Sequence, residues 1–235
     1  MFKRRFAYST ALVMAILGVA LIATATPAQA DTFNLTSCHF SSGCPTAGTS
    51  FGTVTLTQSG TSVLFDVVLN DGNLFVQTGA GGKSFFLFND SLSGSEVQNI
   101  TVTLDGTDVT SAIAGGVSGT TGTSIHADGA GDFTASVGCN VDADCNGASG
   151  TDANDLHFTV TNATLAQLEV ANASGNFFVA DILCGQVGCT GGPTGLVDVN
   201  TPAVPEPTTL LMVGTALAGL GGAWRRRRSQ RALAV

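Results

Sequence analysis

The sequence has 235 residues, of which 44% are hydrophobic and 11% are charged, so it is too apolar for a disordered chain and long enough for one domain. Between Asp31 and Val204 a single lysine stands against 16 carboxylates, a formal charge of −15. Such an acidic body repels phosphate backbones, which excludes nucleic acid as a partner.

The first thirty residues have the three parts of an export signal. A basic stretch at residues 3–5 precedes an apolar run at residues 11–23. Ala28 and Ala30 then supply the small side chains that signal peptidase requires at the −3 and −1 positions. We therefore predict an N-terminal signal helix that signal peptidase removes after Ala30, so that the mature chain begins at Asp31.

Alternating polar and apolar residues predict strands through much of the body. The clearest are residues 51–58 and 61–69, which the turn residues Ser59 and Gly60 would join as a hairpin. Further strands are predicted, in chain order, at residues 74–78, 84–88, 97–104, 132–137, 156–161 and 176–183.

Two other segments do not have the strand pattern. Residues 115–131 are rich in Gly, Thr and Ser and are expected to form a long loop or a poorly ordered hairpin. Residues 164–171 are expected to form a short helix with Thr164 as its N-cap. At least eight strands joined by short turns predict an all-β body, a single antiparallel β-sandwich or jelly-roll-like domain in residues 31–200.

The six cysteines lie in three close pairs. The pairs are Cys38 with Cys44, Cys139 with Cys145, and Cys184 with Cys189. In an exported protein this spacing indicates disulfide bonds, and three local bridges are the simplest arrangement. A metal site is the alternative interpretation, but the spacing is wider than that of zinc knuckles.

The segment Asp142-Ala143-Asp144-Cys145-Asn146-Gly147 resembles part of a calcium-binding loop. The candidate ligands are Asp142, Asp144, Asn146 and Asp152, because D-x-D-x-N-G gathers oxygen atoms around a turn that glycine permits. Ala153 stands where an EF-hand has its bidentate Glu, so calcium would bind here in a different type of site. The other interpretation is a solvated acidic loop with an Asx turn.

Catalytic patterns give little support for an enzyme. The histidines are His39, His126 and His157, and each lies in a different predicted element. The body has few glutamates for a carboxylate pair, and six bridged cysteines would leave no nucleophilic thiol. We therefore expect a protein that is not an enzyme, assign no catalytic residue, and expect no cofactor other than calcium.

Residues 201–235 form a tail in three parts. Pro205-Glu206-Pro207 precedes an apolar run at residues 208–224 and a basic end at residues 225–231. As a helix the run would span about 26 Å, marginal against a hydrocarbon core of about 30 Å. The arginines would stay in the cytoplasm, which places the body outside. We predict a short C-terminal transmembrane helix; a permanent single-pass anchor is the alternative to one that is cut.

The tail resembles the PEP-CTERM sorting signal over residues 204–228. The resemblance implies that an exosortase in the inner membrane recognises Pro205, Glu206 and Pro207 and cleaves near them. The protein would then be anchored in the inner membrane for a time and afterwards reach the cell surface or the extracellular space.

Three functions compete for the body. The first is a structural or adhesive component of the extracellular matrix, associated with exopolysaccharide. The second is a calcium-assisted module that binds carbohydrate or another surface, and the third is a secreted hydrolase. We rank them in this order, because the body offers no Trp or Tyr for sugar stacking and no clear catalytic motif.

Overall fold

A computed structural model describes residues 29–205, apart from 47, 71, 82, 92–93, 114, 142–144, 146–152 and 203. The strands are β1 (Ala30–Leu35), β2 (Ser37–Cys38), β3 (Gly52–Ser59), β4 (Ser62–Leu69), β5 (Leu74–Phe75), β6 (Ser84–Phe88), β7 (Val97–Leu104), β8 (Thr107–Asp108), β9 (Val117–Ala127), β10 (Gly131–Cys139), β11 (Asp155–Thr161), β12 (Phe178–Leu183), β13 (Thr194–Val199) and β14 (Val204–Pro205). A 3-10 turn at Thr110–Ala112 and one short helix, α1 (Leu165–Leu168), complete the elements of the described residues.

The strands form two seven-stranded sheets with antiparallel pairing. Sheet A has the order β14-β1-β3-β4-β11-β7-β8. Sheet B has the order β2-β13-β12-β6-β10-β9, and β5 pairs with β12 beside that path. The predicted all-β class is confirmed.

Several predicted strands match the structure closely. β6 and β7 have the predicted bounds, and β3 and β4 form the predicted hairpin, in which Ser59 lies opposite Ser62. The predicted helix is shorter than expected: α1 has four residues, and Thr164 precedes it as N-cap. The Gln167 side chain accepts a hydrogen bond from the Thr164 backbone N–H at 3.0 Å.

Of the two forms expected at residues 115–131, the long loop is wrong and the hairpin is closer, because an 11-residue strand, β9, occupies most of the segment and turns into β10. β9 pairs along its length with β10, and this pairing supplies the order that its polar composition does not predict. Gly119 has a packing role, since a Cβ atom there would lie 2.4 Å from Cβ of Val97 on β7. A residue type that usually indicates a loop here allows two strands to approach closely.

The space between the sheets is filled by phenylalanine rings. Phe65 stacks on Phe158, its neighbour in sheet A, with ring centroids 4.4 Å apart. Across the interface it contacts Phe88 at 5.1 Å and Phe178 at 5.9 Å, both in sheet B. Phe33 of β1 meets Phe178 edge-on at 4.9 Å. The two sheets therefore pack face to face around one aromatic core.

The face of sheet B that points away from sheet A is also buried. A second apolar cluster there contains Leu87, Ile125, Ala127, Ala130, Phe133, Val179 and Leu196. The loop at residues 78–80 packs against this face. The buried Asp181 carboxylate holds the loop in place, because it accepts hydrogen bonds from the backbone N–H groups of Thr78, Gly79 and Ala80. Burial raises the pKa of Asp181, while these hydrogen bonds oppose the shift. This cover explains why β6 and β12 are buried on both faces.

Three disulfides close short loops. The structure bonds Cys38 to Cys44, Cys139 to Cys145, and Cys184 to Cys189, the three local pairs that the spacing favours. They differ in burial: Cys139 and Cys145 are both buried, whereas Cys44 is exposed. Each bridge constrains the unfolded chain by roughly 2 kcal/mol on the chain-entropy model.

The predicted signal segment, up to residue 28, and the predicted transmembrane run at residues 208–224 lie outside the described residues. In the part of the chain that the structure describes, no helix has the length and apolar character needed to cross a membrane.

Replacing Phe65, the central ring of the core, with alanine tests how much the packing of that ring contributes to stability. We expect Phe65→Ala to lower the free energy of unfolding by about 3–5 kcal/mol, because it removes a side chain that is only 2% exposed and leaves a cavity. Leu64→Ala is the matched control, since Leu64 is 43% exposed and should cost less than about 1 kcal/mol. Chemical denaturation measures both, and equal losses would contradict the described orientation of β4.

Burial also predicts the order in which the bridges are reduced. Under native conditions with a mild thiol reductant, we expect Cys38–Cys44 to be reduced and alkylated first and Cys139–Cys145 last, because thiolate attack requires access to sulfur. Peptide mapping by mass spectrometry at successive times measures the order. Early alkylation of Cys145 in folded protein would show that this bridge is not buried.

Candidate functional site

The two predicted processing points meet at one edge of sheet A. β1 begins at Ala30, the predicted end of the signal peptide, and β14 ends at Pro205. The two strands pair so that Asp31 lies opposite Pro205. Proline cannot donate a backbone hydrogen bond, and a sheet edge tolerates this. The first residue of the predicted mature chain therefore lies beside the first residue of the Pro-Glu-Pro motif.

Two carboxylates lie together near this edge. Asp31 is only 7% exposed and alternates in register with the buried Phe33 and Leu35. Glu169 follows α1, and its Oε1 atom is buried with no hydrogen-bond partner among the described residues. Burial, and after it the neighbouring Asp31 carboxyl, raise the pKa of Glu169 to about 7. The sequence did not predict this pair, because β1 was not among the predicted strands.

The outer face of sheet A is broad, polar and open to solvent. It carries the alternate residues of β1, β3, β4 and β11, which are Thr32, Asn34, Thr53, Thr55, Thr57, Leu64, Asp66, Val68, Asp155, His157, Thr159 and Thr161. Thr55, Asp66 and His157 lie opposite one another in one cross-strand row. Nδ1 of His157 is 3.1 Å from Oδ1 of Asp66. Leu64 and Val68 add apolar surface and are 43% and 39% exposed.

The three histidines lie in separate places, and each contacts an aspartate. Nε2 of His39 is 2.6 Å from Oδ2 of Asp198, which is 1% exposed. His126 contacts Asp132 on the β9–β10 hairpin, and His157 contacts Asp66 on the outer face of sheet A. Within the described ranges, no group of three or more His, Cys, Asp or Glu side chains could hold a metal ion. The histidines therefore do not converge on one centre.

A G-x-S-x-G pattern occurs at residues 48–52, with Ser50 at its centre. In α/β-hydrolases this pattern forms a turn between a strand and a helix. Here the segment leads directly into β3, and the Ser50 hydroxyl donates a hydrogen bond to the Gly52 carbonyl oxygen at 3.2 Å. The Ser50 carbonyl oxygen accepts hydrogen bonds from the Asn70 and Gln186 side chains. The pattern therefore lacks the structural context of a nucleophile.

The remaining predicted site residues lie outside the described part of the chain. They are the candidate calcium ligands Asp142, Asp144, Asn146 and Asp152, the signal-cleavage residue Ala28, and the motif residues Glu206 and Pro207. Cys139 and Cys145, which form a disulfide, precede and follow Asp142 and Asp144 in the sequence.

Comparison with known proteins identifies the C-terminal tail. The family model of the PEP-CTERM protein-sorting motif matches residues 203–228. No curated protein and no solved structure matched the chain. The motif implies export, transient processing at the membrane and recognition by an exosortase. The C-terminal tail of this chain is therefore a PEP-CTERM protein-sorting motif, as its Pro-Glu-Pro, apolar and basic parts predicted.

Proposed function

We propose that the mature domain is a structural or adhesive protein of the extracellular matrix, that it is not an enzyme, and that it associates with exopolysaccharide through the outer face of sheet A. The observation that carries this proposal is the solvent-facing row of Thr55, Asp66 and His157, in which Asp66 is exposed and the other two are half-buried, with the exposed Leu64 and Val68 beside it. The sorting motif supports the location, because it implies export.

The chemistry of this face suits a polysaccharide chain. Threonine hydroxyls both donate and accept hydrogen bonds, as sugar hydroxyls do. Asp66 and His157 add a charged acceptor and a ring nitrogen in the same row. The exposed Leu64 and Val68 side chains can pack against the C–H surfaces of sugar rings. A flat face with many modest contacts suits a repeating polymer, since each repeat adds a small gain in free energy.

The charge of the domain limits the type of polymer. The body carries a formal charge of −15 between Asp31 and Val204, and Asp66 and Asp155 lie on the face itself. A densely acidic polysaccharide would be repelled at low salt. We therefore propose a polymer that is neutral or carries few acid groups.

The remaining parts of the proposal concern maturation. Signal peptidase removes the signal helix after Ala30, and the apolar run at residues 208–224 anchors the chain in the inner membrane as a short helix. Exosortase then cuts near Pro205, Glu206 and Pro207, and the domain reaches the cell surface or the medium. The bridged cysteines support an extracellular destination, because disulfides persist in oxidising compartments.

Substitution on the face tests the binding proposal. We expect the double variant Leu64→Glu with Val68→Glu to weaken binding to exopolysaccharide from the producing cells about tenfold, which corresponds to roughly 1.4 kcal/mol. The reason is that it replaces the apolar surface at the centre of the face with charge. Co-sedimentation of the purified exported protein with the polysaccharide measures the change.

Val187→Glu is the matched control, because Val187 is fully exposed on the loop between β12 and β13. It should bind as the unchanged protein does. Equal binding by the face variant and this control would contradict the assignment of the face. Release of shortened glycans during the incubation would contradict the non-enzymatic role and favour a hydrolase.

Calcium separates the proposed function from its main alternative. A calcium-assisted module should show a higher Tm with calcium than with a chelator, and Asp142→Ala with Asp144→Ala should abolish the difference. A matrix protein that does not depend on calcium should have the same Tm in both conditions, and this is the result that we expect. Differential scanning fluorimetry with magnesium as the control ion measures it.

A further inference from the structure

Asp31 and Glu169 place two carboxyl groups next to each other in a largely buried position. Both side chains are acidic, Asp31 is 93% buried, and one Glu169 oxygen has no hydrogen-bond partner in the described part of the chain. Gln29 donates a hydrogen bond from Nε2 to Oδ2 of Asp31 at 3.3 Å. Lys83, the one cationic residue between Asp31 and Val204, bonds the Asn140 carbonyl oxygen on another loop. Two carboxyl groups thus meet at a place where no basic side chain of the described residues acts on Glu169.

Signal peptidase would create the missing cation at this place. Cleavage after Ala30 converts the amide nitrogen of Asp31 into an α-ammonium group with three hydrogen-bond donors. This nitrogen belongs to the residue whose carboxyl contacts Glu169. It also lies in the β1–β3 ladder opposite Leu56, so its position is fixed by the sheet.

We propose that Asp31 and Glu169 form a binding site for a primary ammonium group, and that its ligand is the mature chain's own N-terminus. The new cation neutralises the carboxylate pair and gives the unpartnered Glu169 oxygen a donor. In the uncleaved precursor this nitrogen is an uncharged amide, and the two carboxyl groups adjoin by sharing a proton through a side-chain hydrogen bond. Removal of the signal peptide therefore stabilises the folded domain as well as releasing it from the membrane.

The pH dependence follows from the raised pKa of Glu169. While the terminus is blocked, folded Glu169 has a pKa of about 7, above its ordinary value, so the folded state binds a proton that the unfolded state has lost. The free energy of unfolding then falls as the pH rises from about 4.5 to about 7. The ammonium group opposes this fall, because it favours ionised Glu169. Its effect disappears above about pH 9, where the ammonium group itself loses its proton.

The sequence allows a selective test on the exported, processed protein. Lys83 is the only lysine after the predicted cleavage site, so Lys83→Arg leaves the α-amino group as the one primary amine. Intact mass first establishes whether the chain begins at Asp31. Reductive methylation with ¹³C-formaldehyde then labels the terminus without removing its charge, and NMR follows its titration.

We expect the α-amino group to titrate above its ordinary pKa of about 7.7–8.0, because two carboxylates favour the charged form. Glu169→Gln should lower that pKa towards the ordinary value. Acetylation of the terminus should lower the Tm at pH 7 and leave it unchanged at pH 4. In the Glu169→Gln protein the Tm difference between free and acetylated termini at pH 7 should be smaller.

Three results would overturn the proposal. One is a mature chain that begins at a residue other than Asp31. Another is an α-amino pKa at or below the ordinary value that Glu169→Gln does not change. The third is an acetylated protein as stable as the free one at pH 7. Every comparison uses Glu169→Gln or a modified terminus. The test therefore does not depend on a variant that removes both carboxyl groups and fails to fold.

Discussion

Phe65 packs against rings of both sheets, and the register of the neighbouring strands depends on that contact. It stacks on Phe158 in sheet A and meets Phe88 and Phe178 in sheet B. Because side chains alternate along a strand, a buried Phe65 places Leu64 and Asp66 on the opposite face. A shift of one residue would bury Asp66 and expose the aromatic ring. The polar outer face of sheet A therefore follows from the same constraint that forms the core.

The same alternation explains the acidic pair at the end of the sandwich. Phe33 and Leu35 of β1 point inwards, so Asp31, at the start of that strand, must also point inwards. At this position the Asp31 carboxyl meets Glu169, the residue that follows α1. An apolar residue would fill the space with no electrostatic cost. Under the maturation proposed above, cleavage after Ala30 would place a cation beside this carboxylate, which makes the carboxylate compatible with a stable fold.

The sequence allowed correct prediction of those elements whose pattern is local. β6 and β7 are continuous or alternating apolar runs, and the β3–β4 hairpin has its turn between two such runs. β9 was missed because Gly119, a residue type that indicates a loop, serves packing against β7, a contact between sheets that composition does not reveal. The sorting tail was recognised because it is a linear motif. The Asp31–Glu169 pair could not be, since it forms only when β1 and the segment after α1 come together.

The position of β14 shows how far the predicted cleavage points lie from the proposed polysaccharide-binding face. β14 pairs with β1 at the edge of sheet A, and β4 and β11 lie three and four strands further in. At a spacing of about 4.8 Å per strand, the row around Asp66 and His157 lies roughly 14–19 Å from that edge. The two predicted cleavage points lie near Asp31 and Pro205, which pair at that edge. A polymer bound at the centre of the outer face, as proposed, would therefore leave the two predicted cleavage points uncovered.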